Sequence, residues 1–410
     1  MGKKWFYKGL ILREFYFSNV LSCADVSERI NKSLPFTAKI LDELVKEGQL
    51  IESGYAPSSG GRRPLLYTIN LDTTYILSVA MDQLITRISI MNVQNKHTSE
   101  VQAFELPLQN NPDALSILAD KMNYVVNKSG IDKKKIIGAG IGMPGFLDYE
   151  KGINYSFLQT KDKTIVQYLS EKLELPVYID NDSSLIALAE LRFGAARNRK
   201  NAMVINIGWG VGLGMVLNGG LFRGHNGFAG EFSHIPLFNN NKLCSCGKTG
   251  CLETETSLLV IIEKAKMELK EGRLSSLSKN FPSGHFEKDY KAIISAALKG
   301  DQFAVELLSE VGFNIGKGVA ILIHLMNPES IIISGRGAMA GKMLQTPIQQ
   351  ALNKDCIPWL SANTEIELST LGHDAELIGS AALVMESQVK EKATMIEKRK
   401  VRKRLLQNIN

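Results

Sequence analysis

Three of the five cysteines in this chain of 410 residues lie close together in the sequence CSCGKTGC, as Cys244, Cys246 and Cys251. His234 lies ten residues before the first of them. Three thiolates and one imidazole make the closed tetrahedral shell that a structural Zn²⁺ prefers, and the glycines between the cysteines allow a tight turn. The spacing therefore predicts one structural zinc ion bound by these four residues. The alternative is three buried free thiols in a turn.

Two carboxylates flank this cysteine-rich segment. Glu231 lies three residues before His234, and Glu253 lies two residues after Cys251. A metal ion that fixed His234 and Cys251 would also fix these two side chains. Carboxylates held in place are suitable acceptors for the hydroxyl groups of a sugar. The sequence therefore predicts a site for a hydroxyl-rich ligand beside the metal.

The segments that must position these residues alternate between strands and helices from Thr74 onward. Strands are predicted over 75–80, 85–93, 136–141, 202–207, 212–217 and 330–334. Helices are predicted over 113–127, 185–193, 257–271, 286–299 and 301–325. This alternation predicts two α/β lobes.

The first seventy residues form a separate predicted unit. Helices are predicted over 6–17 and 24–31, and a third from residue 33 or 34 to Gly48. A two-stranded wing is predicted over 49–69. Three helices and a wing are typical of a winged helix-turn-helix. A small helical module that binds other proteins is the alternative.

The third helix is the element expected to enter the major groove of DNA. Its buried stripe is predicted to consist of Phe36, Ile40, Leu41 and Leu44. The residues predicted to contact DNA near its start are Pro35, Phe36, Thr37 and Lys39. In the wing, Arg62 and Arg63 stand between two glycines and a proline. This extended basic finger could enter an A·T-rich minor groove.

The net charge of +6 is concentrated at the two ends of the chain. Residues 1–70 hold ten Lys and Arg against seven Asp and Glu, and residues 390–410 hold eight against two, so the middle carries −3. The basic ends are candidates for contact with a polyanion, although the run at 398–404 is more typical of a solvated tail. The clustered cysteines indicate a reducing compartment. With no apolar run of eighteen residues and no signal-peptide pattern, a cytoplasmic protein without a membrane segment is expected.

Motifs along most of the chain resemble the signature of the ROK family, which contains bacterial sugar kinases and sugar-responsive repressors. In order, they are GIGMPGFLD (140–148), DND (180–182), INIGWGVGLGMVLNG (205–219), AGEFSH followed by CSCGKTGCLE, and IIISGRGAMA (331–340). The resemblance implies an N-terminal winged helix-turn-helix followed by a two-lobed α/β ROK domain with the actin-like ATPase (ribonuclease H-like) fold. The implied domains are a DNA-binding domain (1–70), a small lobe (71–195), a large lobe with the zinc loop and a returning C-terminal helix (196–389), and a basic tail (390–410).

The same resemblance implies which residues contact a sugar. Asn181 and Asp182 match the family's Asn-Asp pair, in which the aspartate is the base that deprotonates the sugar hydroxyl in the kinases. Glu231, His234 and Glu253 match further sugar contacts. A structural role as a helix N-cap is the alternative for Asp182, because it precedes Ser183 and an apolar helical run.

Two segments depart from the pattern of the kinases. Where those enzymes have a glycine-rich D-x-G-G-T turn for the nucleotide, this chain keeps Asp82 but has Gln83 and Leu84. Where they have G-T-G, it has Gly208-Trp209-Gly210. Phosphoryl transfer depends on backbone N–H groups that can approach the phosphates closely, and large side chains obstruct that approach. The sequence therefore predicts that the domain neither binds ATP nor phosphorylates its sugar.

Taken together, these features predict a transcriptional regulator, specifically a repressor of carbohydrate-utilisation genes, whose ROK domain binds a sugar or sugar phosphate. Its expected partners are a double-stranded DNA operator, the effector, and further copies of itself in a homodimer or dimer of dimers. One alternative is an ATP-dependent sugar kinase, such as a glucokinase or N-acetylhexosamine kinase, with an appended DNA-binding module. Another is a zinc-containing scaffold that binds a protein through its lobes.

Overall fold

The structure, a computed structural model, describes residues 2–57, 63–158, 160, 162–279 and 281–390. The chain divides into two compact units. The first contains Met1–Gly145, Tyr149–Asp180 and Ser380–Asn410, and the second contains Phe146–Asp148 and Asn181–Gly379. The domain boundaries expected from the sequence remain predictions.

The first seventy residues, here called the N-terminal module, contain helices and a small sheet. In chain order the elements are α1 (Gly2–Ser18), β1 (Val20–Ser22), α2 (Cys23–Arg29), α3 (Leu34–Lys46), β2 (Leu50–Tyr55) and β3 (Leu65–Ile69). The strands pair antiparallel in the order β1-β3-β2, so β1 adds a strand to the expected wing. Helix α2 begins with a capping box between Ser22 and Asp25, which satisfies two backbone N–H groups. This arrangement agrees with the predicted winged helix-turn-helix.

One expectation for α3 is wrong. Thr37 is 0% exposed, whereas Phe36, expected in the core, is 36% exposed. The ring of Phe36 packs edge-on against Tyr7 of α1, with centroids 5.1 Å apart, and so lies at the rim of the module. The fully buried side chains of the module include Ile11, Phe15, Val26, Ile40, Leu41 and Leu44.

The first unit contains a five-stranded sheet beyond the N-terminal module. The next elements in the chain are β4 (Tyr75–Met81), β5 (Ile85–Asn92), β6 (Gln102–Glu105), α4 (Ala114–Lys128), β7 (Ile136–Met143), β8 (Leu147–Asp148), β9 (Ile153–Asn154), α5 (Ile165–Leu173) and β10 (Val177–Asn181). The sheet order is β10-β7-β4-β5-β6. Strands β4, β5 and β6 pair antiparallel, and β4 pairs with β7 in parallel.

The second unit contains another five-stranded sheet. Its elements are α6 (Asp182–Phe193), β11 (Ala202–Ile207), β12 (Val211–Leu217), β13 (Gly220–Phe222), α7 (Leu258–Lys270), α8 (Phe286–Leu298), α9 (Gln302–Met326), β14 (Ser330–Ser334), α10 (Lys342–Asp355), α11 (Pro358–Ser361) and β15 (Glu365–Leu368). The sheet order is β13-β12-β11-β14-β15. With the five strands of each sheet numbered in chain order, the first sheet read from β10 has the order fifth, fourth, first, second, third. The second sheet has the same order when it is read from β15, so one topology is duplicated within the chain.

The last described helix, α12, covers residues 375–390. Within the first unit, Ser380 Oγ donates a hydrogen bond to the Val79 carbonyl oxygen at 2.9 Å, and Gln388 Nε2 donates to that of Ile137 at 2.6 Å. Gly140 permits this packing, since a Cβ there would lie 1.9 Å from the Ser380 carbonyl oxygen. The end of the described chain thus packs on the sheet of the first unit.

In the described part of the chain, one helix is long and apolar enough to cross a membrane, namely α9. Its most apolar window is 67% buried inside the protein. An apolar helix that is mostly buried has the properties of a core helix.

Candidate sugar and metal site

The structure brings the four predicted metal ligands together. The ligand atoms of His234, Cys244, Cys246 and Cys251 all lie within 4.8 Å of one another. The sulfurs of Cys246 and Cys251 are 3.6 Å apart, and Cys244 Sγ is 3.4 Å from His234 Nδ1. In a tetrahedral zinc site with Zn–S bonds of about 2.3 Å, two sulfurs are about 3.8 Å apart. The donor set and its spacing therefore fit one tetrahedral ion.

Backbone contacts fold the loop so that its sulfurs converge. The amide of Cys244 donates a hydrogen bond to the Lys248 carbonyl oxygen at 2.8 Å, which closes a turn that contains the first two cysteines. Gly250 has a φ of +74°, and a Cβ there would lie 1.9 Å from the Phe238 carbonyl oxygen. Only glycine fits both requirements. Burial raises the pKa of Cys251, and the neighbouring thiols raise it further. A bound cation would act in the opposite direction and favour the thiolate.

The two ring nitrogens of His234 face different partners. Nδ1 lies against Cys244 Sγ, and Nε2 is 3.7 Å from Glu231 Oε2. Nδ1 is thus the nitrogen placed to bind a metal. Nε2 points toward a carboxylate, the usual arrangement in which a second group orients a metal-bound imidazole. Partial burial raises the pKa of Glu231, and the charge of Glu253 raises it further, while His234 opposes both.

Glu253 connects the metal loop to strand β12. Its Oε2 accepts a hydrogen bond from the Val211 amide at 3.2 Å. Its Oε1 accepts one from Ser245 Oγ at 3.5 Å. The carboxylate is thereby held between the metal loop and the turn that precedes β12.

Asn181 and Asp182 lie at the start of helix α6. Asn181 Oδ1 accepts hydrogen bonds from the amides of Ser183 at 3.0 Å and Ser184 at 3.2 Å, so Asn181 is the N-cap. The alternative that Asp182 caps this helix is wrong, because the helix begins at Asp182, three residues before the predicted start at 185, and Asn181 is its N-cap. Asp182 is the first helical residue, and its Oδ1 accepts from the amide of Ser183 at 2.7 Å.

Strand β12 supports several of these side chains through glycines that the sequence analysis did not single out. A Cβ on Gly212 would lie 2.0 Å from Ser183 Oγ, so its absence lets the start of α6 pack closely on the strand. A Cβ on Gly230 would lie 2.4 Å from the Leu213 carbonyl oxygen, so the chain just before Glu231 also meets this strand. The alternation of glycine in GVGLG was the available signal.

The turn between β4 and β5, here called the first turn, is held by one of its own side chains. Asp82 Oδ1 accepts hydrogen bonds from the amides of Leu84 at 2.8 Å and Ile85 at 2.7 Å. The Asp82 amide donates to the Ile85 carbonyl oxygen at 3.0 Å. A carboxylate of the chain itself therefore occupies these two N–H groups.

The turn between β11 and β12, here called the second turn, contains a buried tryptophan. Trp209 is 6% exposed, and its Nε1 has no hydrogen-bond partner within the described residues. The guanidinium carbon of Arg336 lies 4.8 Å from the centre of the indole, and Phe286 packs on it at 5.8 Å between centroids. Arg336 Nε donates to Glu287 Oε2 at 3.0 Å. The indole is therefore enclosed by a cation and an aromatic ring.

The residues predicted to contact DNA lie in the N-terminal module. The side chains of Pro35, Phe36, Lys39 and Arg63 are exposed, as contact with DNA requires. Thr37 is buried and cannot reach DNA in this conformation. Arg62 and the basic run at 398–404 lie outside the described residues.

Comparisons with known proteins agree with this architecture. The profile of the ROK family matches residues 85–387. The xylose repressor of Caldicellulosiruptor bescii is 30% identical over 393 residues, 93% of this chain and 96% of that repressor. The glucokinase of Halalkalibacterium halodurans is 35% identical over 295 residues, 70% of this chain and 89% of that kinase. A solved ROK family transcriptional regulator, a homologue of E. coli MLC, aligns with a TM-score of 0.76 and 24% identity over 96% of this chain and 99% of its own.

The chain belongs to the ROK family. The structural match establishes the expected fold, with a winged helix-turn-helix before a two-lobed actin-like domain. Similarity to the repressor extends over nearly all of both chains, whereas similarity to the kinase covers 70% of this one. Within the family, this full-length match supports a ROK transcriptional repressor.

Proposed function

We propose that the protein binds an operator of carbohydrate-utilisation genes and releases it when a sugar or sugar phosphate binds the second unit. The observation that carries this proposal is the combination of an N-terminal module with exposed basic residues and a ROK domain that keeps the polar groups for a sugar. DNA binding requires access to the chromosome, which agrees with a cytoplasmic location. Repression at palindromic operators further implies a homodimer or dimer of dimers.

The sugar site proposed here consists of Asn181, Asp182, Glu231, His234 and Glu253. Hydroxyl-rich ligands need several acceptors and donors in fixed positions, and these side chains are fixed by a helix N-terminus, a metal loop and strand β12. D-xylose is the first effector to test, because the repressor of C. bescii is named for it. D-glucose, N-acetylglucosamine and the 6-phosphates of these hexoses complete the panel.

Zinc is proposed as the ion of the metal loop, with a structural role. His234 Nδ1 and the sulfurs of Cys244, Cys246 and Cys251 would bind it. A structural ion of this kind adds folding free energy and fixes its ligands. Glu231 and Glu253 would be positioned through their contacts with His234 and with the loop.

The test of the sugar site is Glu231→Ala. This variant should bind operator DNA as the parent does and should no longer be released by the sugar that releases the parent. Gel-shift titrations with and without sugar measure both properties. Glu263→Ala, a carboxylate on the exposed side of α7, is the matched control. Release of Glu231→Ala at the parent's sugar concentration would contradict the placement of the site.

We further propose that the ROK domain does not transfer phosphate. In the first turn Asp82 already occupies backbone N–H groups, and in the second turn Glu253 occupies the Val211 amide while Trp209 fills the turn. A nucleotide would have to displace these groups before its phosphates could approach the backbone. ATP is therefore not expected as a cofactor.

The rival function is a sugar kinase with a DNA-binding module, and the similarity to a glucokinase and the presence of Asp182 favour it. ADP release from ATP in the presence of glucose, N-acetylglucosamine, mannose or xylose decides between the two. The parent chain should show no sugar-dependent turnover. Turnover that disappears in Asp182→Asn would establish the kinase instead.

For the DNA complex, we propose that Pro35, Phe36 and Lys39 enter a major groove and that Arg62 and Arg63 reach a minor groove. Thr37 is not included among these DNA contacts, because its side chain is buried. The double variant Arg62→Ala/Arg63→Ala should weaken operator binding at least about 10-fold, as expected for two lost charged contacts, and leave sugar affinity unchanged. Lys270→Ala/Lys299→Ala, which removes the same charge from exposed positions in the second unit, is the control. Equal gel-shift affinity of the arginine variant and the parent would remove the minor-groove contact.

A further inference from the structure

A hydrogen bond joins the N-terminal module to the ROK domain within the first unit. The hydroxyl group of Tyr16, on helix α1, donates to Asn95 Oδ1, and the two residues are 79 positions apart. Asn95 lies inside the region that matches the ROK family, which begins at residue 85. The bond therefore crosses the boundary between the two modules.

The donor of this bond is deeply buried. Tyr16 is 1% exposed, and burial raises the pKa of its phenol, so the hydroxyl stays protonated and donates. A buried hydroxyl that loses its partner costs free energy, because water cannot replace the lost bond. The position of α1 is consequently tied to the position of its acceptor.

The acceptor stands on a well-defined turn. Asn92 Oδ1 accepts hydrogen bonds from the amides of Gln94 at 2.9 Å and Lys96 at 3.0 Å, and the Asn92 amide donates to the Lys96 carbonyl oxygen at 3.0 Å. Asn95 has a φ of +58°, a left-handed conformation that asparagine tolerates better than most residues. The turn thus holds Asn95 Oδ1 in one place relative to strand β5.

Strand β5 connects this turn to another part of the ROK domain. It runs from Ile85 to Asn92, with the first turn of the sheet at its start and the Asn92–Lys96 turn at its end. Eight residues of strand span about 26 Å. Because β5 pairs with both β4 and β6, a displacement of the sheet would carry Asn95 with it.

We propose that the hydrogen bond between Tyr16 and Asn95 is the contact through which the state of the ROK domain sets the position of the DNA-binding module. Tyr16 is then a positioning residue for operator binding, although it lies in the core and does not touch DNA. This proposal rests on the proposed function, since it assigns the route of the sugar response.

Two variants each remove one partner of the bond. Tyr16→Phe keeps the buried ring, and Asn95→Gly keeps the left-handed backbone. The probe is a DNA duplex selected by the parent chain from a random library, with D-xylose, or whichever sugar of the panel releases the parent, as effector. The measured quantity is the ratio of operator Kd with and without sugar, which allosteric coupling typically sets at about 5–150. Each variant should bring this ratio close to one, while calorimetry shows unchanged sugar affinity without DNA.

A matched control separates coupling from general loss of stability. Ser22→Ala removes the capping box of α2 and weakens the N-terminal module without touching the ROK domain. It should leave the ratio at the parent's value. The double variant Tyr16→Phe/Asn95→Gly should be no worse than either single variant, because both remove the same bond.

A parent-like ratio in Tyr16→Phe or Asn95→Gly overturns the proposal, and so does an equal loss of the ratio in Ser22→Ala. If no sugar of the panel releases the parent, the proposed function fails. The hydrogen bond between Tyr16 and Asn95 is then tested separately, by hydrogen exchange. In Tyr16→Phe, the amides of residues 92–96 should exchange faster than in the parent, while those of α4 remain unchanged. Unchanged exchange in the 92–96 turn overturns it.

Discussion

The two sheets of the ROK domain share a strand order, yet their first hairpin turns are stabilised in different ways. In the first turn, Asp82 bonds the amides of residues two and three positions later. In the second turn, the Val211 amide is bonded by Glu253, a residue 42 positions away that follows the metal loop. The first turn is therefore bonded by a carboxylate of its own, and the second by a carboxylate from a distant segment. The carbonyl oxygens of Leu84 and Gln83 in the first turn also accept hydrogen bonds from the amides of Leu106 at 2.8 Å and Leu108 at 3.0 Å.

This difference indicates which turn can respond to a ligand. The carboxylate that bonds the first turn belongs to the turn itself, so these hydrogen bonds do not require the metal loop. The second turn depends on the metal loop, and Trp209 within it also contacts Arg336, which follows β14. A change at the metal loop or at Glu253 should therefore alter the contacts of the second turn and leave the Asp82 hydrogen bonds of the first turn in place.

The largest expected effect comes from removing the metal. Cys246→Ser should reduce zinc content from one ion per chain to a small fraction and release the second turn, because the loop that carries Glu253 loses its ion. Trp209 emission should shift to the red as the indole meets water. Trp5 and Trp359 are 58% and 79% exposed, so both are changed to Phe in the reporter chain.

The control for this experiment is Cys23→Ser, which removes a cysteine of helix α2 in the N-terminal module. It should retain both zinc and the parent's emission. Elemental analysis that finds no zinc in the parent, purified without chelator, would contradict the proposal that the metal loop binds zinc. Loss of zinc with unchanged Trp209 emission would separate the loop from the turn.

The next effect concerns Glu253, and two substitutions separate the role of its charge in sugar binding from the role of its hydrogen bond to the Val211 amide. Glu253→Gln keeps an oxygen for the Val211 amide but loses the charge, so it should weaken sugar binding about 10-fold or more, as for a lost charged hydrogen bond of about 1.5–3 kcal/mol. Glu253→Ala removes the oxygen as well and should also shift the Trp209 emission. Calorimetry and fluorescence measure the two effects separately. Equal emission shifts in both variants would show that charge, and not the hydrogen bond, holds the turn.

The comparison of the two turns also explains which features the sequence could predict. Strand positions followed from β-branched runs, and the spacing of the cysteines indicated which side chains the structure brings within 4.8 Å. Both are local signals. The replacement of small residues by Gln83, Leu84 and Trp209 was also visible, because the resemblance to the family's kinases supplies the glycine-rich pattern expected at both turns.

The features that could not be predicted depend on contacts between distant segments. The helical pattern of α3 placed Phe36 inside and Thr37 outside, and packing of Tyr7 against Phe36 reversed this assignment. Asn181 and Asp182 are both good N-caps, and only the end of β10 determines which one caps α6. The partner of Glu253 is a backbone amide, which has no sequence signature.

A smaller effect is expected in the first turn. Asp82→Ala should lower the free energy of unfolding by about 1 kcal/mol, because two hydrogen bonds in a partly exposed turn are exchanged for bonds to water. Sugar affinity and Trp209 emission should not change. Urea denaturation measures the first quantity, with the exposed neighbour Gln83→Ala as control. A loss of sugar affinity as large as that in Glu253→Ala would show that the first turn contributes to sugar binding.

The smallest effect should come from the acid titration of Glu287, the partner of Arg336. Burial raises the pKa of Glu287, but attraction to Arg336, with smaller contributions from Lys291 and His373, outweighs burial and places the pKa below its ordinary value of 4.5. A depressed pKa stabilises the folded protein above that ordinary value, and this contribution is lost as the pH falls through the folded pKa. For a partly exposed pair it should amount to about 1 kcal/mol or less. Trp209 emission should therefore begin to shift in the parent only below the ordinary range.

Glu287→Gln tests this assignment, since it removes the charge that holds Arg336 against the indole. The variant should show the shifted Trp209 emission already at neutral pH, where the parent does not, and little further change on mild acidification. Glu306→Gln, which removes the carboxylate of an exposed pair with Arg273, should titrate like the parent. An acid transition of the same size and midpoint in Glu287→Gln and the parent would assign it to another group. The second turn would then be held by Glu253 and packing alone, which increases its expected dependence on the metal loop.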